Sequence, residues 1–319
     1  MIRLDAATVL LQWAVGGLLF LWVTTRSREV GLGYGWLLRG TYLLMAAGAA
    51  VIGLGIDPVP VREASSLAVV AASGTALGVS IVRRKAGVRG EHERKARKVE
   101  RVAAMTGIER LPDEAIPADS AVDAARAGAG ADDRSSADSA DSAVGHAAAT
   151  RGPEFPPQLD LVAPLVGLPG LVAAGVAAGD PVLLSIARIV VGAAFLGAVS
   201  DAMLLGHWYL VQPGLARRPL LELVRWTGWV WPLEAVVLLW PVGMVSVLNG
   251  SVDDGWGGML GWFWVACVVT TIGLVVVTRA ALRERYYSAV MAATGLLYLA
   301  ILTAFGTDLV ARAVLAGAT

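Results

Sequence analysis

Eight apolar stretches, divided three and five by one long polar insertion, limit what this chain can fold into more than any other feature. They fall near 6–24, 40–56, 65–82, 161–178, 182–206, 220–247, 257–278 and 287–306. A helix that crosses a bilayer needs roughly 20 mostly apolar residues. Lipid offers no partner for backbone N–H and C=O groups, so runs of this length read as helices. The expected fold is all-α: a polytopic membrane bundle of eight transmembrane helices in a 3+5 arrangement. Residues 1–82 form a three-helix segment, 83–158 a cytoplasmic insertion and 159–319 a five-helix segment.

Composition agrees. Hydrophobic residues make up 56% of the chain and charged ones 16%, against roughly 25% charged in soluble domains. Formal net charge is zero, so no basic footprint marks nucleic acid as a partner. The expected partners are the lipid bilayer and other membrane proteins. The run Ala6–Val23 is longer than a signal-peptide core and lacks a clear small-residue cleavage site, so it reads as an uncleaved first span. A single asparagine, Asn249, within an Ala- and Gly-rich chain agrees with a GC-rich coding sequence, which suits a prokaryotic inner membrane.

Lys and Arg near span ends favour the cytoplasmic side. Arg26, Arg28 and Arg39 follow the first window. Nine basic residues from Arg83 to Arg101 follow the third, Arg217 and Arg218 the fifth, and Arg279, Arg283 and Arg285 the seventh. With eight spans these fall on one side, 17 against Arg3, Arg62 and Arg312 on the other. Both termini are therefore expected outside. The fourth window is the weakest, because Pro164 and Pro169 interrupt it and proline removes a helix hydrogen bond.

The insertion has two parts. Val88 to about Leu111 reads as a charged helix, with Glu91–Lys95 and Glu93–Arg97 in the favourable i,i+4 order. Pro112 to Pro157 turns to Ala, Asp, Ser, Gly and Pro. It cannot bury a core, and is expected to be disordered and unpacked.

Ionisable residues inside spans are the default pointers to function. The fifth window holds Arg188, Asp201 and His207; the sixth holds Glu222, Arg225 and Glu234. Asp201, His207, Glu222 and Arg225 are expected to gather at the cytoplasmic end of this hairpin, beside Trp208 and Tyr209, as a ligand or proton site. Arg188 and Glu234 are expected to pair nearer mid-membrane. His207 with its two aromatic neighbours also has the composition of a haem or quinone site. The other histidines, His92 and His146, lie in the insertion, so a bis-His site in the membrane part of one chain is excluded. No metal and no cofactor enter the leading expectation.

The chain contains no P-loop, CxxC, HExxH, GxSxG or dinucleotide fingerprint. The leading expectation is thus a non-enzymatic accessory or scaffold subunit of a membrane complex. The alternatives are a redox-linked protein binding haem or quinone at His207, and a transporter or channel using Arg188 and Glu234.

Overall fold

The computed structural model describes residues 5–86, 154–212, 214–239, 243–284 and 286–317. The described chain forms helices α1 (Ala6–Thr25), α2 (Leu32–Ile56), α3 (Pro60–Val82), α4 (Leu159–Ala177), α5 (Val182–Val211), α6 (Arg218–Leu239), the short α7 (Met244–Leu248), α8 (Met259–Ala281) and α9 (Tyr287–Gly317), with a 3₁₀ turn at Arg83–Ala86 after α3. The protein is an all-α polytopic membrane bundle. Seven of the long helices are apolar enough to cross a membrane. The eighth, α6, is 22 residues long and carries Glu222, Arg225 and Glu234.

α1 is the centre. It is apolar around its whole circumference, which marks a fully surrounded helix, and it packs on α2, α4 and α5. α3 covers α2 and α4; α6 and α9 lie against α5, and α8 closes the far side against α9 and α6. The start of α1 and the end of α9 share one end of the bundle, here the terminal end; the other is the insertion end. α4 is continuous through Pro164 and Pro169. Its 19 residues reach about 28 Å at 1.5 Å per residue.

Three boundaries differ most from expectation, the first two because a charge had masked a helix. α2 begins at Leu32 rather than near 40, with Arg39 inside it. α9 runs to Gly317 rather than stopping near 306, and takes in Asp308 and Arg312. The sixth span ends at Leu239, with α7 separate from it. Arg39, Arg62 and Arg312 are buried helix residues, not loop charges. Setting them aside leaves sixteen basic residues on one side and Arg3 alone on the other.

The end of the insertion also corrects an expectation. Most of it, including the charged stretch from Val88 and the stretch from Pro112, lies outside the described residues. Residues 154–157, however, pack on the bundle. Phe155 is buried in a cluster with Leu32 and Ala76, and the Cζ of Arg39 stands 4.3 Å from its ring centroid. Arg28 Nη1 donates to Glu154 Oε2 at 2.8 Å, and Arg83 Nη1 to the Glu154 carbonyl at 2.9 Å. An aromatic ring and two arginines thus anchor a segment whose composition reads as solvated.

Between α7 and α8, the Asp254 carboxylate accepts the N–H groups of Trp256 (2.9 Å), Gly258 (2.8 Å), Leu260 (2.8 Å) and Gly261 (3.4 Å). The last two are among the donors that a helix start leaves unmatched. Gly257 and Gly258 have φ of +63° and +87°, which lets the loop curl around the carboxylate. The backbone N–H of Gly258 first, then the others, hold the Asp254 carboxyl below its ordinary range. A carboxyl depressed in the folded state stabilises above its unfolded value, about 3.9; the contribution fades as pH falls through the lower native value. Amide exchange at Leu260 and Gly261 should therefore stay slow down to pH of about 4 and quicken below it, once corrected for intrinsic exchange. Asp254→Ala should quicken it throughout that range. Equal protection in the variant and the parent would remove this role.

Candidate functional site

Glu234 is fully buried on α6, and the charges around it come from two other helices. Asp308 and Arg312 of α9 and Arg188 of α5 are its electrostatic neighbours. Gln12 of α1 completes the set, its Oε1 accepting from Arg312 Nη2 at 2.5 Å. All five side chains are at most 2% exposed. Gln12 and Arg188 are each seventh in their helices, and Glu234 and Arg312 each sixth from the ends of theirs. The rise of 1.5 Å per residue therefore brings these four to one level, about 9 Å below the terminal end.

Each member is positioned by its helix. Asp308 and Arg312 are one turn apart, and Arg312 Nε donates to Asp308 Oδ2 at 2.8 Å. Arg188 Nε donates to the Val237 carbonyl at 2.8 Å. That carbonyl lies in the last turn of α6, where no helical partner is available and where a cation complements the helix dipole. Gly192 of α5 leaves the gap in which Gln12 and Asp308 approach each other. A Cβ there would meet Gln12 Nε2 at 2.4 Å and Asp308 Oδ1 at 3.2 Å.

The polar valences of this site are incompletely matched. Both oxygens of Glu234, Asp308 Oδ1, Arg312 Nη1 and Gln12 Nε2 are buried without a hydrogen-bond partner. Glu234 and Asp308 stand within hydrogen-bonding reach of each other, yet as carboxylates both are acceptors only. A single proton between them would turn that contact into a hydrogen bond. Two guanidiniums beside the carboxyls oppose entry of a metal cation, and the carboxyls oppose an anion.

The residues singled out from sequence are distributed differently. Asp201 is fully buried, and one of its oxygens accepts from the Tyr42 hydroxyl. His207, six residues on and so about 120° around the helix, is exposed, with Nδ1 3.1 Å from Tyr298 Oη and the rings edge to face. Trp208 Nε1 donates to Gln212 Oε1 at 3.2 Å, and its ring lies 6.1 Å from that of Tyr34. The Tyr209 hydroxyl donates to the Ala216 carbonyl. Glu222 pairs with Arg26, the residue that follows α1, and Arg225 is exposed. The expected single cluster of Asp201, His207, Glu222 and Arg225 is therefore divided among three faces of the hairpin. An exposed imidazole already facing a phenol does not form an enclosed axial site for haem.

Arg188 and Glu234 are electrostatic neighbours within a group of four charges, while both Glu234 oxygens lack a hydrogen-bond partner. The sequence reading missed Gln12, Asp308 and Arg312. The available signal was an acid-before-base pair at i,i+4, Asp308 and Arg312, in the otherwise apolar run Asp308–Leu315. Compared with protein-family models, with curated proteins and with solved structures, the chain matches none.

Proposed function

We propose that this protein moves protons across the membrane, with Glu234 and Asp308 as the proton-binding pair. The observation that carries this reading is the facing of two buried carboxyls with no donor supplied to Glu234. Buried polar groups are normally satisfied, and ionisable groups inside membranes typically serve proton or ion pathways. Arg188 and Arg312 offset the charge when the proton leaves, and Gln12 ties Arg312 to the central helix. The insertion end is cytoplasmic and both termini lie outside, in the plasma membrane of a prokaryote. The sixteen-to-one distribution of loop arginines and lysines supports that orientation.

The test is proton flux into lipid vesicles containing the purified chain, driven by an imposed potassium diffusion potential and read by a trapped pH dye. Vesicles with the protein should acidify faster than empty ones. Glu234→Gln, which keeps shape but cannot exchange a proton, should slow the flux about a hundredfold, the lower range for a positioned acid–base group. Equal rates in empty and loaded vesicles would sink the reading. They would favour the alternative of a packed accessory subunit, which the backbone contact between α1 and α5 at Gly16 and Gly197 supports.

A further inference from the structure

Five carboxyl side chains are buried among the described residues: Glu63, Asp160, Asp201, Glu234 and Asp308. Four have arginines. Glu63 pairs with Arg62, Asp160 with Arg39 and Asp308 with Arg312, while Glu234 has Arg188 and Arg312 as electrostatic neighbours. Asp201 is the exception. The titratable groups facing it are Tyr34 and Tyr42, both from α2. α1 presents Gly17 on this side, and Trp13 Nε1 donates to the neighbouring Ser200 Oγ at 2.8 Å.

The hydrogen bonding is one-sided. The Tyr42 hydroxyl donates to Asp201 Oδ1, while Oδ2 is buried with no partner. The Tyr34 hydroxyl donates to the Asp201 main-chain carbonyl at 3.3 Å and leaves the carboxyl alone. The pocket is shaped for this contact. A Cβ at Gly17 would come within 2.0–2.4 Å of the Tyr42 ring, so only glycine lets the phenol reach across. A buried carboxylate with one donor and no cation is poorly compensated, and a proton on Oδ2 removes its charge.

We propose that Asp201 is a second proton-binding site, filled in this arrangement, which exchanges with the insertion end through Tyr42 and Tyr34. The polar side chains continue in that direction. Thr24 lies beside the Tyr34 hydroxyl, and its neighbour Thr25 donates to Asp160 Oδ2 at 2.9 Å. Asp160 holds Arg39, whose Nη1 has no partner. Arg39 borders a cavity of about 20 Å³ shared with Arg28 and Pro157, room for a single water. The proton leaves Asp201 as H⁺ and reaches water at that cavity; no other bond changes. The role in flux rests on the proton-transport reading, but the occupancy of Asp201 does not.

The experiment is infrared spectroscopy of the full chain in lipid bilayers at neutral pH, in H₂O and D₂O. Asp201→Asn should lose a protonated-carboxyl C=O band that Glu234→Gln retains. Tyr42→Phe should shift that band, because the carbonyl oxygen loses its donor, and slow its deuterium exchange. An unchanged carboxyl region in folded Asp201→Asn would show an ionised Asp201 and overturn the proposal. Should that variant not fold, the Tyr42→Phe shift decides in its place. In the vesicle assay, Asp201→Asn should reduce flux as strongly as Glu234→Gln. Full flux in Asp201→Asn would refute the path. No flux in the parent chain would refute the transport reading, and the infrared band alone would then decide whether Asp201 holds a proton.

Discussion

Asp160→Ala should destabilise the bundle by about 3–5 kcal/mol, the usual cost of leaving one partner of a buried ion pair alone. The Asp160 carboxylate receives Arg39 Nε and Nη2, both at 2.7 Å, in a forked contact, and Thr25 Oγ1 at 2.9 Å. Both charged side chains are 1% exposed, so bulk water does not reach the lost partner's place; the adjoining cavity has room for a single water. This pair joins α2 to the first turn of α4 and thereby ties the chain on both sides of the insertion. Replacing both members by apolar residues, Arg39→Met with Asp160→Leu, should restore stability to within about 1 kcal/mol of the parent or exceed it, because two desolvation costs vanish together. Thermal unfolding in detergent measures both. A double variant no more stable than Asp160→Ala would mean that the fold needs the ion pair itself.

Gly197→Ala should cost about 3 kcal/mol, the upper part of the overpacking range. A Cβ at Gly197 would stand 2.2 Å from the Gly16 carbonyl carbon, and one at Gly16 would stand 1.8 Å from the Ala193 carbonyl oxygen. These obstacles are backbone atoms and cannot rotate away. α1 and α5 therefore meet main chain to main chain, the close approach that small residues permit between membrane helices. Gly78→Ala is the control. Nothing lies within 4 Å of a Cβ there, so the better helix propensity of alanine should stabilise by up to about 1 kcal/mol. The same chemical change should thus have opposite signs at two helix positions. Similar effects of the two substitutions on detergent unfolding would contradict the contact.

Spacing within one helix did not reveal this contact. Gly74 and Gly78 have the separation of a packing motif, but a Cβ at Gly74 would meet only Leu43 at 3.6 Å and one at Gly78 nothing. The crossing uses Gly16 of α1 with Ala193 and Gly197 of α5. A glycine's value depends on what faces it, and that belongs to another helix. The same holds for the charges. Arg39, Arg62 and Arg312 looked like loop residues because each lowered the apolar average of its window. They are buried because acidic residues meet them: Asp160 on a different helix, Glu63 beside Arg62, and Asp308 one turn before Arg312.

The sequence alone determined the helical membrane class, eight long helices and a polar insertion after the third. These depend on sums along the chain: enough apolar side chain to cover a span, with every backbone hydrogen bond made inside its own helix. The nearness of Arg188 and Glu234 was also legible, because both charges lay inside apolar windows on consecutive helices. Only the tertiary structure decided that Gln12, Asp308 and Arg312 join them, that Asp201 turns towards Tyr42, and that His207 faces outward. Which residues meet depends on the rotation of each helix about its axis and on which helices touch. Interlocking side chains across the interfaces set both, and no window along one segment contains them.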